Sequence, residues 1–291
     1  MKSKSFFVGC GIIALVLFII GCTNEPDNIA VSTDGVKVSF TQMGMGKPAI
    51  IFVHGWANRA NIWDETMSHF SGKYKTVAVD LFGLDESYNN RTDWSMDLFG
   101  EDVAAVIKKL KLNQVVLVGF SMGGAVIAET AKLLPERITG IVLVDNLQDV
   151  AYKFPPEMAA FLDSIMMDLV TAPSNEKFVN NGFYKNNQEK SFKRIETMLK
   201  SSSQIGWKKS LHSYIKWVNE DCIESFKQIK APVTAINSDM EPTEVETFRK
   251  YTPSFQAKII PDVGHVVFWD NPEEFNRLLE ESIQEFVNNQ N

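Results

Sequence analysis

The stretch Val115-Val116-Leu117-Val118-Gly119-Phe120-Ser121-Met122-Gly123-Gly124 decides the fold. Four aliphatic residues in a row read as a strand buried on both faces of a parallel sheet. A Gly-x-Ser-x-Gly turn follows at once, and Ala125 to Leu134 is a helix-forming run. Strand, tight turn and helix, in that order, are what a nucleophile elbow requires. A serine on such a turn sits on strained backbone, so Gly119 and Gly123 keep Cβ atoms out of the way. The turn lifts the Ser121 hydroxyl clear of the sheet, beside the positive end of the following helix. The competing reading is a serine in an ordinary glycine-rich loop, because the pentapeptide alone recurs by chance.

Strands and helices alternate on both sides of this stretch. Ile29 to Ser32 and Val36 to Gln42, around Asp34-Gly35, read as a hairpin. Ala49 to Val53 is a buried strand that runs directly into His54-Gly55-Trp56. A helix over Asn61 to Phe70, a strand over Thr76 to Val79 ending at Asp80, and a helix over Ser95 to Leu110 come next. After the elbow, Ile141 to Val144 is a strand ending at Asp145. Residues 147–228 contain no buried-strand run; their helical stretches near 156–170, 188–201 and 207–217 read as a helical cap inserted into the fold. The alternation returns with a strand over Pro232 to Ile236, a helix over Thr243 to Tyr251 and a strand over Gln256 to Ile260. Gly264-His265 and a closing helix, Pro272 to Val287, complete it. The fold class expected is α/β: a mostly parallel central sheet with helices on both faces, plus the cap.

Bulk properties narrow the function. The 291 residues carry a net charge of −7, which gives a nucleic-acid partner no electrostatic support. No cysteine pair has metal-site spacing, and neither a metal nor another cofactor is expected. Lys2 and Lys4 precede an apolar run of 15 residues, Phe6 to Ile20, which fits a signal-peptide core and is short for a membrane span. It ends in Ile19-Ile20-Gly21-Cys22, which resembles the lipobox of bacterial lipoproteins. That resemblance implies cleavage before Cys22, lipidation of its thiol, and a tether over 22–28. The expected localisation is an exported bacterial protein, lipid-anchored in the cell membrane or outer membrane. An uncleaved anchor, or a signal cut elsewhere, is the alternative. Beyond the cut only Cys22 and Cys222 remain, so no intramolecular disulfide is expected.

Taken as a set, His54-Gly55-Trp56, Gly119-Phe120-Ser121-Met122-Gly123-Gly124 and Asp262-Val263-Gly264-His265 resemble the α/β-hydrolase fold superfamily. The resemblance spans about 29–290, with a core over 29–146 and 229–291 and the cap over 147–228, after the sixth strand. It implies a catalytic triad in the chain order Ser, Asp/Glu, His. Ser121 is the nucleophile, and His265, in the loop after the last strand, is its base. His54 is expected to orient the oxyanion loop, while His69 and His212 read as polar faces of helices. The oxyanion hole implied is the backbone N–H of Met122 and that of Trp56.

The acid is open among three carboxylates. In the family it usually follows the seventh strand, in a Gly-x-x-Asp-Pro pattern, where this chain has Ser238-Asp239-Met240-Glu241-Pro242. Asp239 is preferred, Glu241 is the ungapped match, and Asp145 is the position some relatives use after the sixth strand. The family's Gly-x-Gly-x-Ser turn after the fourth strand is reduced here, in Asp80 to Ser87, to one glycine and the serine.

Ser121 implies acyl transfer, and argues against the dehalogenase and epoxide-hydrolase members, which use Asp there. The expected activity is cleavage of a small-molecule carboxylic ester with a hydrophobic acyl group by a membrane-tethered serine hydrolase. A non-catalytic ligand-binding lipoprotein on the same scaffold, and a hydrolase of carbon–carbon bonds, are the alternatives.

Overall fold

In a computed structural model of the chain, residues 27–81, 91–201 and 206–289 are described. The segment 1–21, Cys22 with most of the tether, and the 82–87 part of the reduced turn lie outside the described residues. The central sheet has eight strands: β1 (Ile29–Val31), β2 (Lys37–Met43), β3 (Ala49–Val53), β4 (Lys75–Val79), β5 (Val115–Phe120), β6 (Ile138–Val144), β7 (Val233–Ser238) and β8 (Gln256–Ile260). Their spatial order is β1-β2-β4-β3-β5-β6-β7-β8. β1 and β2 form the expected antiparallel hairpin and β2 also runs antiparallel to β4, while every later pairing is parallel. The elbow strand β5 lies between β3 and β6, so its end has neighbours on both sides.

Successive residues of β3 and β5 point to opposite faces, and each face has its own core. Ile51, Val53, Val115 and Leu117 pack with residues of α2 (Met96–Lys109) and α3 (Gly123–Leu133), such as Phe99, Val103 and Ile127. Ile50, Phe52, Val116, Val118 and Phe120 pack with α1 (Asp64–Phe70), α10 (Val267–Asp270) and α11 (Pro272–Asn288), through Met67, Phe70, Phe268 and Leu279 among others. Burying each such side chain is worth about 1.5–3 kcal/mol, which fixes the sheet and hence the edge that carries the site.

Between β6 and β7 the chain forms α4 (Pro156–Thr171), α5 (Asn175–Asn180), α6 (Gln188–Ser201), α7 (Trp207–Glu220) and α8 (Cys222–Gln228); a short α9 (Val245–Arg249) then separates β7 from β8. The periodicity of the sequence does not indicate α5, α8 or α10, because one or two turns are too short to show a 3.6-residue repeat. Glu129 of α3 is buried and accepts from Trp217 Nε1 at 2.7 Å and Ser225 Oγ at 2.6 Å. That carboxylate ties α7 and α8 to the helix that follows the elbow. Cys222 is a buried free thiol that burial pushes up to about 12, which removes it from nucleophilic chemistry.

Candidate active site

Ser121 directly follows β5 and takes a φ of 51°, the left-handed region that a non-glycine residue seldom occupies. The turn is possible because its flanks are glycines. A Cβ on Gly123 would lie 2.6 Å from Val53 O and 2.7 Å from His54 O, and one on Gly119 would lie 2.4 Å from Gly123 O. Backbone at the end of β3 and at the start of α3 therefore leaves no room for a Cβ on either flank of the turn. Asn146, which the sequence does not single out, braces it from the side. Its amide Nδ2 donates to Gly119 O at 3.1 Å and to Ser121 O at 2.9 Å. Ser121 N donates to Val144 O at 3.0 Å.

His265 lies in the loop after β8, and its Nδ1 is 2.6 Å from Asp145 Oδ2. The other carboxylate oxygen of Asp145 accepts from Ser238 N at 2.7 Å. Asp145 is buried, with a φ of 45°, a conformation that Asp tolerates better than most residues. The expectation of Asp239 as the histidine's partner is corrected here. Asp239 is exposed, and its Oδ1 accepts from Asp262 N at 3.1 Å instead. Glu241 is exposed as well. The physical reason is the end of β7: the Ser238 N–H is directed at Asp145, while the carboxylate one residue later faces the β8 loop. With Nδ1 engaged by a carboxylate, Nε2 is the nitrogen available to take a proton. Two rings hold the imidazole in place, Phe120 at 4.7 Å and Phe183 edge-on at 5.7 Å.

His54 is fully buried and is not available as a base. Its Nε2 accepts from Leu81 N at 3.0 Å, so the proton sits on Nδ1, which donates to Gly55 O at 2.8 Å. The ring thus fixes the backbone leading to Trp56. Beside it Asp80 is also buried. Burial raises its carboxyl, but its charged and hydrogen-bonding partners, the Arg59 guanidinium at 2.9 Å among them, outweigh burial and hold it below the usual range. Among the described residues neither the Trp56 nor the Met122 N–H has an acceptor. Both residues flank the elbow, as an oxyanion hole needs. The Trp56 indole donates to Trp207 O at 2.7 Å, which ties this loop to the start of α7. His69 and His212 are exposed on α1 and α7, and His212 pairs with Asp163 at 3.1 Å.

Ser121 and His265 line one cavity with Trp56, Phe120, Met166 and Phe183, so its walls are mostly apolar. The loop bearing His265 is laced to the cap segment 182–186. His265 N donates to Gly182 O and Val266 N to Phe183 O, both at 2.8 Å. Asp270, 7% exposed and not singled out by the sequence, fastens the same seam. Its carboxylate accepts from Gly264 N and Lys185 N at 2.7 Å and from Asn186 N at 3.0 Å. A buried carboxylate that accepts three backbone N–H groups is held firmly in place. Among the described residues no helix is long and apolar enough to cross a membrane.

The model of the alpha/beta hydrolase fold family matches residues 48–272. A pimeloyl-[acyl-carrier protein] methyl ester esterase from Wigglesworthia glossinidia brevipalpis is 26% identical over 258 residues, 84% of this chain and 96% of that protein. Among solved structures, an esterase from Exiguobacterium antarcticum superposes with a TM-score of 0.75 at 19% identity, covering 88% of this chain and 99% of that one. A thermophilic esterase from Thermogutta terrifontis gives a TM-score of 0.74 at 19% identity, covering 89% and 98%.

Proposed function

The chain belongs to the alpha/beta hydrolase fold family, and from that premise we propose that it is a serine hydrolase acting on a carboxylic ester with a hydrophobic acyl group. One observation carries this reading: His265 Nδ1 lies 2.6 Å from Asp145 Oδ2, on a ring that shares its cavity with Ser121. In the proposed reaction His265 Nε2 takes the Ser121 proton as Oγ attacks the ester carbonyl carbon. The carbonyl oxygen becomes an oxyanion facing the N–H groups of Trp56 and Met122. The C–O bond to the alcohol then breaks, and the imidazolium returns its proton to the leaving alkoxide. Water, deprotonated by the same imidazole, attacks the acyl-enzyme and releases the acid and Ser121.

The ester substrate is supported by the named activity of the methyl ester esterase to which the chain is 26% identical. The hydrophobic acyl group is supported by the wall of Phe120, Met166, Leu169, Val170, Phe178 and Phe183 around the serine. Tethering to a membrane through a lipid on Cys22 belongs to the same proposal and rests on the sequence of the first 22 residues. A fluorophosphonate probe tests the nucleophile directly. It should label the native protein covalently and leave Ser121→Ala unlabelled. Equal labelling of both would overturn the assignment.

A further inference from the structure

The cavity at Ser121 has only about 40 Å³ of free volume. That is room for a few waters, against about 300–1,000 Å³ for sites that enclose a drug-sized ligand. A groove of about 640 Å³ adjoins it. Three side chains line both spaces, Met166, Leu169 and Phe183. The space of substrate size therefore shares a wall with the cavity that holds Ser121 and His265.

The groove is built from the part of the cap that packing satisfies least. α4 reads as an apolar helix, Pro156-Glu157-Met158-Ala159-Ala160-Phe161-Leu162 and onward, yet only its Leu169 and Val170 are buried. Met158 is 43% and Phe161 59% exposed, and both line the groove with Leu162 and Ile165. A soluble helix that leaves its apolar face open marks a binding surface more often than an idle one. Met166 is suited to be the movable part of the wall, since its unbranched thioether repacks at small cost. The groove's polar side carries Asp149, Glu241 and Glu244, an arrangement that repels a carboxylate at the far end of an occupant.

We propose that this groove binds the extended, uncharged hydrocarbon chain of the ester substrate, and that the chain reaches Ser121 past Met166. The proposal rests on the ester-hydrolase reading for its chemistry, but the groove can be tested without turnover. In the native protein, kcat/KM should rise at least tenfold from p-nitrophenyl acetate to p-nitrophenyl octanoate. Phe161→Asp, at an exposed position that tolerates the change, should cut the octanoate-to-acetate ratio at least fivefold, and Met166→Ala should raise it. Methyl octanoate should be cleaved better than the singly charged monomethyl ester of octanedioic acid. A ratio below one in the native protein, or one that Phe161→Asp leaves unchanged, would overturn the groove. Calorimetric titration of Ser121→Ala with methyl octanoate separates the two readings. Binding weakened by Phe161→Asp, in a protein that turns over no ester, upholds the groove and removes the hydrolase. Turnover of acetate with no octanoate binding does the reverse.

Discussion

Replacing Asp145 by asparagine is the sharpest perturbation of the site. Both carboxylate oxygens are committed: Oδ1 accepts the Ser238 N–H at 2.7 Å and Oδ2 faces His265 Nδ1 at 2.6 Å. A backbone N–H can only donate, so an asparagine would turn its single oxygen to Ser238. Its NH₂ would then face Nδ1, which must become an acceptor, and the imidazole proton would move to Nε2. A histidine in that tautomer cannot take the proton of Ser121. Loss of the right tautomer costs roughly 10⁴ in kcat, or about 5 kcal/mol of transition-state stabilisation at 1.36 kcal/mol per decade. Asp239→Asn should differ sharply. Its carboxylate is exposed and accepts one backbone N–H at 3.1 Å, a role the amide oxygen can fill. Surface changes of that kind stay within about 0.5 kcal/mol, so activity should fall no more than about threefold. The assay is kcat/KM on p-nitrophenyl butyrate for both variants, with thermal unfolding to confirm that each is folded. A thousandfold loss in Asp239→Asn, or a folded Asp145→Asn within tenfold of the native rate, would refute the placement of the acid.

Other positions give independent checks. Gly123→Ala puts a Cβ 2.6–2.7 Å from two backbone oxygens, so unfolding by urea should show a loss of about 3 kcal/mol; a neutral result would mean that the elbow is not held against β3. Asp270→Ala leaves the N–H groups of Gly264, Lys185 and Asn186 without their acceptor, at about 1–3 kcal/mol for the buried Gly264 group and less for the two exposed residues, and should lower both Tm and kcat, with Asp270→Asn recovering part of each. Burial pushes the Asp102 carboxyl up to about 6 in spite of its bidentate contact with Arg91. A raised folded-state pKa means that the native protein holds a proton the unfolded chain gives up near 4, so this group's stabilisation is full below that pH and is lost as pH rises through 6; urea midpoints from pH 4 to 7 should show that decline in the native protein and a flatter profile in Asp102→Asn. For the proposed lipid, the protein expressed in a bacterium should enter the detergent phase of a Triton X-114 partition, and Cys22→Ala should move it to the aqueous phase; equal partition of the two would remove the tether.

Much of the fold is legible in the sequence because its central strands are buried on both faces. Ala49 to Val53 and Val115 to Val118 are unbroken apolar runs, short and flanked by glycine or turn residues, which is what a sheet covered on both sides requires of its central strands. Ser121 is legible for a local reason: its turn needs glycines on both flanks, and local steric demands leave a mark in the sequence. His265 can be placed by its position after the last strand. Asn146 and Asp270 are not legible, because a side chain that serves distant backbone groups carries no motif. Asn146 braces residues 25 and 27 positions earlier, and Asp270 accepts from residues 84 and 85 positions earlier.

The carboxylate that meets His265 shows most clearly where sequence spacing stops deciding. β6 and β7 are parallel neighbours in register, Val144 beside Ile236, and adjacent strands lie about 4.8 Å apart. Carboxylates just past the two strand ends therefore emerge at the same edge, and one imidazole could be met from either. A one-dimensional pattern treats them as equivalent. Two backbone hydrogens break that degeneracy. The Ser238 N–H anchors Asp145 in a left-handed conformation beside the ring, and the Asp262 N–H engages Asp239 in the loop after β8. The seventh-strand loop thus gives a backbone donor to Asp145 and turns its own carboxylate, Asp239, to the β8 loop, so exchanging the two positions would require rebuilding both loops and not merely moving a carboxylate.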